Sequence, residues 1–210
     1  MNSGGRPANH RMGIPIRTVW VAAGIAAPWL LSACGTGTRP PPEAGFERGG
    51  VPVLSGMRVM VLPVQRRPAG HTELDSEVEY ALQGIGPGVD WVFPGDLRVA
   101  LSRNPGVGVQ VDGLPVQGFL AGELERVGDP LFGDLYRLGT LANARYGLLP
   151  VEARTRAGDL GVVLEIHAAL LDLRNGYVMW FGVVEGGEGM EGDPYVLASS
   201  AEALARRVVR

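Results

Sequence analysis

The sequence predicts a single α+β domain over residues 51–210, an α/β sandwich in which helices pack on a mixed sheet with a C-terminal β-hairpin. Asn175-Gly176 separates two apolar runs, and this dipeptide is the strongest short hairpin signal because both residues tolerate positive φ. Two Asp-Pro pairs, at 129–130 and 193–194, each precede an amphipathic stretch, as at the start of a helix. The short β-branched run at 58–64 is typical of a buried strand.

The first half of the domain alternates strands and helices. Residues 58–64 end in a proline-containing apolar run, which predicts a strand. Residues 71–84 carry apolar side chains at helical spacing and acids in the first turn, which favours a helix. A second strand is predicted at 89–93, and Asp96 is expected to cap a short helix that Asn104-Pro105 ends.

The middle of the domain is less regular. In residues 106–122 the alternating valines are compatible with an exposed hairpin or with an irregular loop. An apolar stripe supports a helix at 129–142. Residues 144–153 are strand-like, and Pro150 within them indicates either an edge strand or a β-bulge.

Residues 160–173 and 177–185 form the predicted hairpin. A two-residue turn places Leu171 opposite Trp180, whereas a three-residue turn with Gly176 in a bulge shifts the register by one. The second strand is apolar on both faces, so it is either central and covered on both sides or leaves one face for a partner. The candidate partner-surface residues are Tyr177, Met179, Trp180 and Phe181.

The N-terminal segment has the pattern of a bacterial lipoprotein signal peptide. Leu31-Ser32-Ala33-Cys34 closes an apolar run that follows arginines, and Leu31, Ser32 and Ala33 are the predicted signal-peptidase recognition residues. Cys34 is the predicted lipidation site, and the alternative is a buried thiol. The apolar run at 18–31 is shorter than the roughly 20 residues of a membrane-spanning helix.

This pattern divides the chain into three parts. Residues 1–33 are the predicted signal peptide, with Met1 or Met12 as its start, and residues 34–50 are a lipidated cysteine with a Pro/Gly-rich tether. The first 33 residues hold three arginines and no acid, so the mature charge is 16 − 22 = −6, which disfavours nucleic-acid binding. Cys34 is the only cysteine, so an intramolecular disulfide is excluded.

No residue pattern for catalysis stands out. We find no nucleophile elbow, no paired metal histidines and no phosphate-binding loop, so we expect no enzyme, no metal and no cofactor beyond the acyl lipid on Cys34. Glu165 and His167 lie two apart on one predicted strand face and are a weaker acid–base or ligand-binding candidate. A weaker calcium candidate consists of Glu185, Glu188, Glu191 and Asp193.

Three segments resemble a group of envelope proteins. They are the strand Val59–Val64, the helix end and strand Leu138–Leu149, and the hairpin Asp172–Trp180. The group contains the curli secretion channel lipoprotein, the lipoprotein activators of penicillin-binding proteins and the N-terminal domain of the Tol-Pal propeller protein. The resemblance implies a helix-packed sheet and binding to protein partners. No segment alternates enough for a membrane-spanning hairpin, and the tether is short.

These observations lead to one main functional hypothesis and two rivals. The main hypothesis is a non-enzymatic, lipid-anchored lipoprotein that binds an unknown envelope protein, with residues 106–122 and the exposed side of 177–184 as candidate surfaces. Gly35, not aspartate, follows Cys34, which implies the periplasmic face of the outer membrane, or the outer face of the cytoplasmic membrane in a single-membraned cell. The rivals are a homo-oligomeric secretion or assembly component and a hydrolytic or sugar-binding protein that uses Glu165 and His167.

Overall fold

The computed structural model describes residues 46–48, 50–121 and 125–209. The strands are Phe46–Glu47 (β1), Arg58–Val61 (β2), Asp90–Val92 (β3), Tyr146–Ala157 (β4), Val162–Asp172 (β5) and Tyr177–Glu185 (β6). The helices are Leu74–Ile85 (α1), Pro94–Arg103 (α2), Gln117–Ala121 (α3), Leu131–Ala142 (α4) and Pro194–Val208 (α5). Within the described residues, no helix has the length and apolar character needed to cross a bilayer.

The strands form one mixed sheet in the order β1-β6-β5-β4-β2-β3. β2 runs parallel to both β3 and β4, whereas the β4–β5, β5–β6 and β6–β1 pairs are antiparallel. The predicted α+β class, with a C-terminal hairpin packed by helices, is confirmed.

Each face of the sheet carries its own apolar cluster. On one face, α1 and α5 cover residues such as Leu148 and Trp180. On the other face, α2, α3 and α4 cover residues such as Leu149 and Phe181. Full burial of a Leu or Phe side chain stabilises the fold by about 1.5–3 kcal/mol, so both layers contribute to stability.

The hairpin is present with a shifted register. Leu170 lies opposite Trp180 and Leu171 opposite Val178, with a bulge between them. The predicted Leu171–Trp180 pairing is therefore wrong. Asp172 pairs with Tyr177, so residues 173–176 form the turn, and neither the two-residue nor the three-residue turn is present. The bulge lies at Leu170/Leu171 and not at Gly176. Gly176 has φ +73 and its N–H donates to the Asp172 carbonyl at 2.9 Å, which closes the turn.

The Asp-Pro signals act at helix starts in two different ways. Asp193 caps α5, because its Oδ1 accepts the Tyr195 N–H at 2.9 Å. Pro130 is the N-cap of α4, so Asp129 lies one residue before the predicted cap position. The Asp129 Oδ1 still accepts the Gly133 N–H at 3.0 Å. Asp96 is the third residue of α2 and not its N-cap, which is Phe93, but it does cap the helix, because its Oδ2 accepts the Phe93 N–H at 3.2 Å.

Two expectations for the middle of the chain are corrected. Residues 108–116 form an irregular loop, as one alternative predicted, and not a hairpin. The loop leads into α3, and the segment as a whole is not a surface element because it buries Val111, Leu114 and Phe119. Pro150 lies in β4, an interior strand between β5 and β2, so the edge-strand alternative is wrong. The bulge alternative is confirmed, since the β4–β5 register shifts between Pro150 and Glu152.

Candidate functional site

The predicted partner surface on β6 is largely internal. Trp180 and Phe181 are 1% and 2% exposed and belong to the cores on opposite faces of the sheet. The Phe181 ring stacks on Phe119 with centroids 5.4 Å apart, and the Arg207 guanidinium lies 5.4 Å from the Trp180 ring centroid. Trp180 and Phe181 are therefore corrected from surface residues to core residues, because helices cover both faces of this strand.

Tyr177 and Met179 are the half-buried members of the same set. The Tyr177 ring contacts two guanidinium groups, Arg48 at 4.7 Å and Arg126 at 5.4 Å from the ring centroid. Through these cation–π contacts, Tyr177 holds the segment before β2, which contains Arg48, and the segment before α4, which contains Arg126, against the hairpin.

Glu165 and His167 lie on one face of β5, as predicted. The His167 Nε2 and Glu165 Oε2 atoms are 4.0 Å apart, which is an ion-pair distance for a protonated ring and too long for a hydrogen bond. Burial lowers the pKa of His167, and the positive charge of Arg154 lowers it further. Its buried Nε2 has no hydrogen-bond partner among the described residues. Glu165 and His167 therefore do not form a hydrogen-bonded acid–base pair in this structure.

The surroundings of His167 form a charged layer where β4 ends. We use the name charged layer for Arg66, Glu152, Arg154, Arg156, Glu165 and Glu185. Arg154 contacts Glu152 at 2.5 Å, and Arg156 contacts Glu165 at 2.5 Å and Glu185 at 3.1 Å. Because each arginine has an acidic partner, the layer is internally neutralised and offers neither a free carboxylate pair nor an accessible base.

The Gly-rich loop after β6 serves the packing of α5. A Cβ on Gly186 would lie 2.5 Å from the Ser200 backbone nitrogen, so glycine permits this close approach. Of the calcium candidates, Asp193 caps α5, Glu185 pairs with Arg156, and Glu188 accepts the Leu160 N–H. In the part of the chain that the structure describes, no group of three or more His, Cys, Asp or Glu residues could hold a metal ion.

A groove between α1 and α5 presents exposed aromatic side chains. It encloses about 580 Å³, and Tyr80 and Tyr195, which line it, are 78% and 56% exposed. Ala81, Ile85 and Ala198 form part of its floor. Exposed tyrosines over small and aliphatic residues are typical of protein-binding surfaces, where aromatic anchors supply much of the affinity.

The α1 side of this groove is acidic. Glu73, Glu77 and Glu79 have no arginine partner within the described residues, and Glu77 lines the groove itself. Burial raises the pKa of Glu79, and the nearby Asp96 carboxylate raises it further. Sequence reasoning missed the groove because α1 and α5 lie far apart in the chain. The available signal was a tyrosine within the polar stretch of each helix.

The predicted lipidation site lies outside the described residues. Cys34 and the recognition residues Leu31, Ser32 and Ala33 precede residue 46, where the description begins. They remain predictions from the sequence.

Comparisons find similarity only among solved structures. No protein family and no curated protein matches the chain. Similar structures include the PelC dodecamer from Paraburkholderia phytofirmans, with 15% identity, a TM-score of 0.39, and coverage of 79% of this chain and 91% of that one. Lipoprotein GNA1162 from Neisseria meningitidis has 14% identity and a TM-score of 0.43, covering 72% and 97%. E. coli LpoB has 13% identity and a TM-score of 0.42, covering 89% and 90%.

The lipoprotein group that the sequence resembles is thus represented among these structures. Similarity at this level transfers neither site residues nor function.

Proposed function

We propose that this chain is a non-enzymatic, lipid-anchored envelope lipoprotein whose domain binds another envelope protein through the α1–α5 groove. The observation that carries the proposal is the pair of exposed tyrosines, Tyr80 and Tyr195, over the apolar floor of that groove. Two large aromatic side chains in one cleft offer a partner apolar contact area at a small cost in side-chain entropy.

The partner segment is apolar and basic. Glu77 lies in the groove, and neither Glu77 nor Glu73, the N-cap residue one turn earlier, has an arginine partner among the described residues. A Lys or Arg beside an apolar anchor complements this arrangement, whereas an acidic segment is repelled. Glu202, at the α5 rim, is already paired with Arg206 at 2.5 Å and contributes less.

The anchor in this proposal is a diacylglyceryl and acyl lipid on Cys34, after removal of residues 1–33. The support is the sequence Leu31-Ser32-Ala33-Cys34, and Gly35 favours the periplasmic face of the outer membrane. Residues 34–45, which precede β1, then tether the domain within roughly 40 Å of the bilayer, at about 3 Å per extended residue.

Site-specific photo-crosslinking of the full-length chain in its native envelope tests the groove. A photoreactive residue at position 80 should give one discrete adduct, and one at Val99, which is 51% exposed on the opposite face of the sheet, should not. Glu77→Lys should reduce the adduct at position 80, because it inverts the charge next to the anchor. Identification of the adduct by mass spectrometry should show a basic, apolar segment.

Other outcomes would redirect or reject this function. An adduct between two copies of the chain would favour the homo-oligomeric rival. Equal adducts at Tyr80 and Val99, or none at either, would reject the groove. Turnover of a substrate by the purified protein would reject the non-enzymatic role.

The lipid anchor has its own test. Mass spectrometry of the mature protein should find Cys34 as the first residue, carrying diacylglyceryl and fatty-acyl groups. The Cys34→Ser variant should leave the membrane fraction. An unmodified thiol, or a retained residue 1–33 segment, would contradict the anchor.

A further inference from the structure

Three arginines surround a cavity where β4 begins, at the end of the sheet opposite the charged layer. The cavity encloses about 310 Å³ and is lined by Arg58, Arg145 and Arg174 together with Tyr136 and Asn143. Arg58 opens β2, Arg145 precedes β4, and Arg174 lies in the β5–β6 turn. We call this cavity the arginine pocket.

The positive charge in the arginine pocket is incompletely neutralised. The Arg174 guanidinium has no hydrogen bond or ion pair with any residue that the structure describes. The closest carboxylate contacts of Arg58 and Arg145, to Asp90 and Asp172, are both 3.4 Å. These distances are long beside the roughly 2.7–2.9 Å of charge-assisted hydrogen bonds, so donors on all three side chains remain available.

In the charged layer, by contrast, two of the arginines are already paired with carboxylates at short distances. There, Arg154 and Arg156 each contact a glutamate at 2.5 Å. Both clusters have half-exposed arginines, but only the arginine pocket has an unpaired guanidinium facing a cavity. An incoming anion gains most where it need not displace an existing carboxylate.

Asp172 preorganises the pocket. It is 5% exposed, its Oδ1 accepts the Arg174 backbone N–H at 3.0 Å, and its Oδ2 contacts Arg145 at 3.4 Å. The dipole of α4 favours a cation near the C-terminal end of that helix. This effect would explain the presence of one arginine there, but it does not explain three.

Neutral hydrogen-bonding groups lie beside the arginines. The Asn143 amide and the Tyr136 hydroxyl have no hydrogen-bond partner among the described residues. Tyr136 is 51% exposed, so its ring also offers an apolar surface. An amide, a phenol and an aromatic face are groups that recognise sugar hydroxyls and the apolar face of a sugar ring.

We propose that the arginine pocket binds a sugar that carries an anionic group, either a carboxylate or a phosphate. Arg174 and Arg145 receive the anion, since guanidinium groups match the geometry of both anions, and Asn143 and Tyr136 receive the hydroxylated ring. The pocket shares no residue with the α1–α5 groove, so this proposal does not depend on the protein partner.

Titration of the purified mature chain with three small sugars tests the proposal. The probes are glucuronic acid, glucose 6-phosphate and uncharged glucose. Binding is measured at low salt by calorimetry and by NMR of the side-chain amides. We expect at least one anionic sugar to bind at least tenfold more tightly than glucose and to shift the Asn143 amide signal. The tighter of the two anionic sugars identifies the preferred anion.

Matched variants locate the binding. Arg174→Gln should weaken the binding of the anionic sugar about tenfold, which is the effect of losing one charge-assisted contact. Arg103→Gln removes the same charge from an exposed position at the end of α2, outside the pocket, and should leave binding unchanged. Arg58→Gln provides a second pocket variant if Arg174→Gln alters the thermal stability.

Three results would overturn the proposal. One is equal binding of glucose and the anionic sugars, and another is an equal loss of affinity in Arg174→Gln and Arg103→Gln. The third is the absence of binding by either anionic sugar at millimolar concentration.

Discussion

Replacing His167 by leucine should make the stability of the domain less sensitive to acid. His167 is 6% exposed and lies opposite Glu152 on β4 and Val183 on β6. Burial, and secondarily the charge of Arg154, lower its pKa in the folded protein. The unfolded chain takes up a proton below pH 6.5 or so, the ordinary value for histidine, while the folded chain resists it. Wild-type stability should therefore fall as the pH falls through this range.

The size of the effect follows from linkage. One proton taken up by the unfolded chain alone changes the free energy of unfolding by up to about 1.4 kcal/mol per pH unit. At pH 5.5 the wild type should be destabilised by up to about 1.4 kcal/mol relative to pH 8 through this residue. In a domain of this size, that corresponds to about 3–5 °C in Tm. His167→Leu lacks this contribution.

Urea denaturation of both proteins at pH 8.0, 6.5 and 5.5 measures the difference. Subtraction of the two curves removes the contributions of carboxylates that the proteins share. We expect the stability of His167→Leu relative to the wild type to rise on acidification. A constant difference would refute the inference that the buried ring resists protonation. A falling difference would show instead that the imidazolium pairs with Glu165 in the folded state.

Two further predictions concern packing. Trp180→Ala should lower the free energy of unfolding by about 3–5 kcal/mol in urea denaturation, as truncation of a buried aromatic residue does, and a loss below 1 kcal/mol would place Trp180 outside the core. Gly139→Ala should lower Tm although alanine favours helix, because its Cβ would lie 2.8 Å from Leu173 Cδ1. Gly84→Ala, with nothing within 4 Å of its Cβ, should leave Tm unchanged or raise it, and the same response at both positions would contradict the steric argument.

Signals confined to a few adjacent residues predicted their elements well. Asn175-Gly176 located the hairpin and Asp193-Pro194 located the start of α5, because a turn or a cap depends on the backbone preferences of the residues that form it. The pairing register within the hairpin was less predictable. It depends on a bulge at Leu170/Leu171, which the side chains of both strands and the covering helices determine together.

The candidate sites required contacts between distant parts of the chain. The arginine pocket brings together Arg58, Arg145 and Arg174 from three separate segments. Arg145 and Arg174 lie in two of the segments that carry the family resemblance, but those segments predicted a strand and a hairpin, and nothing in them indicated an anion site. Glu165 and His167 were placed correctly on one face by the two-residue period of a strand. Their role was not predictable, because the burial of His167 and the pairing of Glu165 with Arg156 depend on β4.

The two errors about surfaces have a common origin in residues 106–122. The valines of this segment alternate with small or polar residues, a pattern that fits an exposed hairpin or a loop, so nothing in the pattern assigned the segment to the core. Phe119 of this segment stacks on Phe181 and helps to cover one face of β6. Because the sequence did not reveal this cover, one face of β6 was expected to be exposed and to bind a partner. Recognising residues 106–122 as part of the core would therefore have removed Phe181 from the candidate surface at the same time, and would have left the polar faces of the helices as the place to look for a binding site.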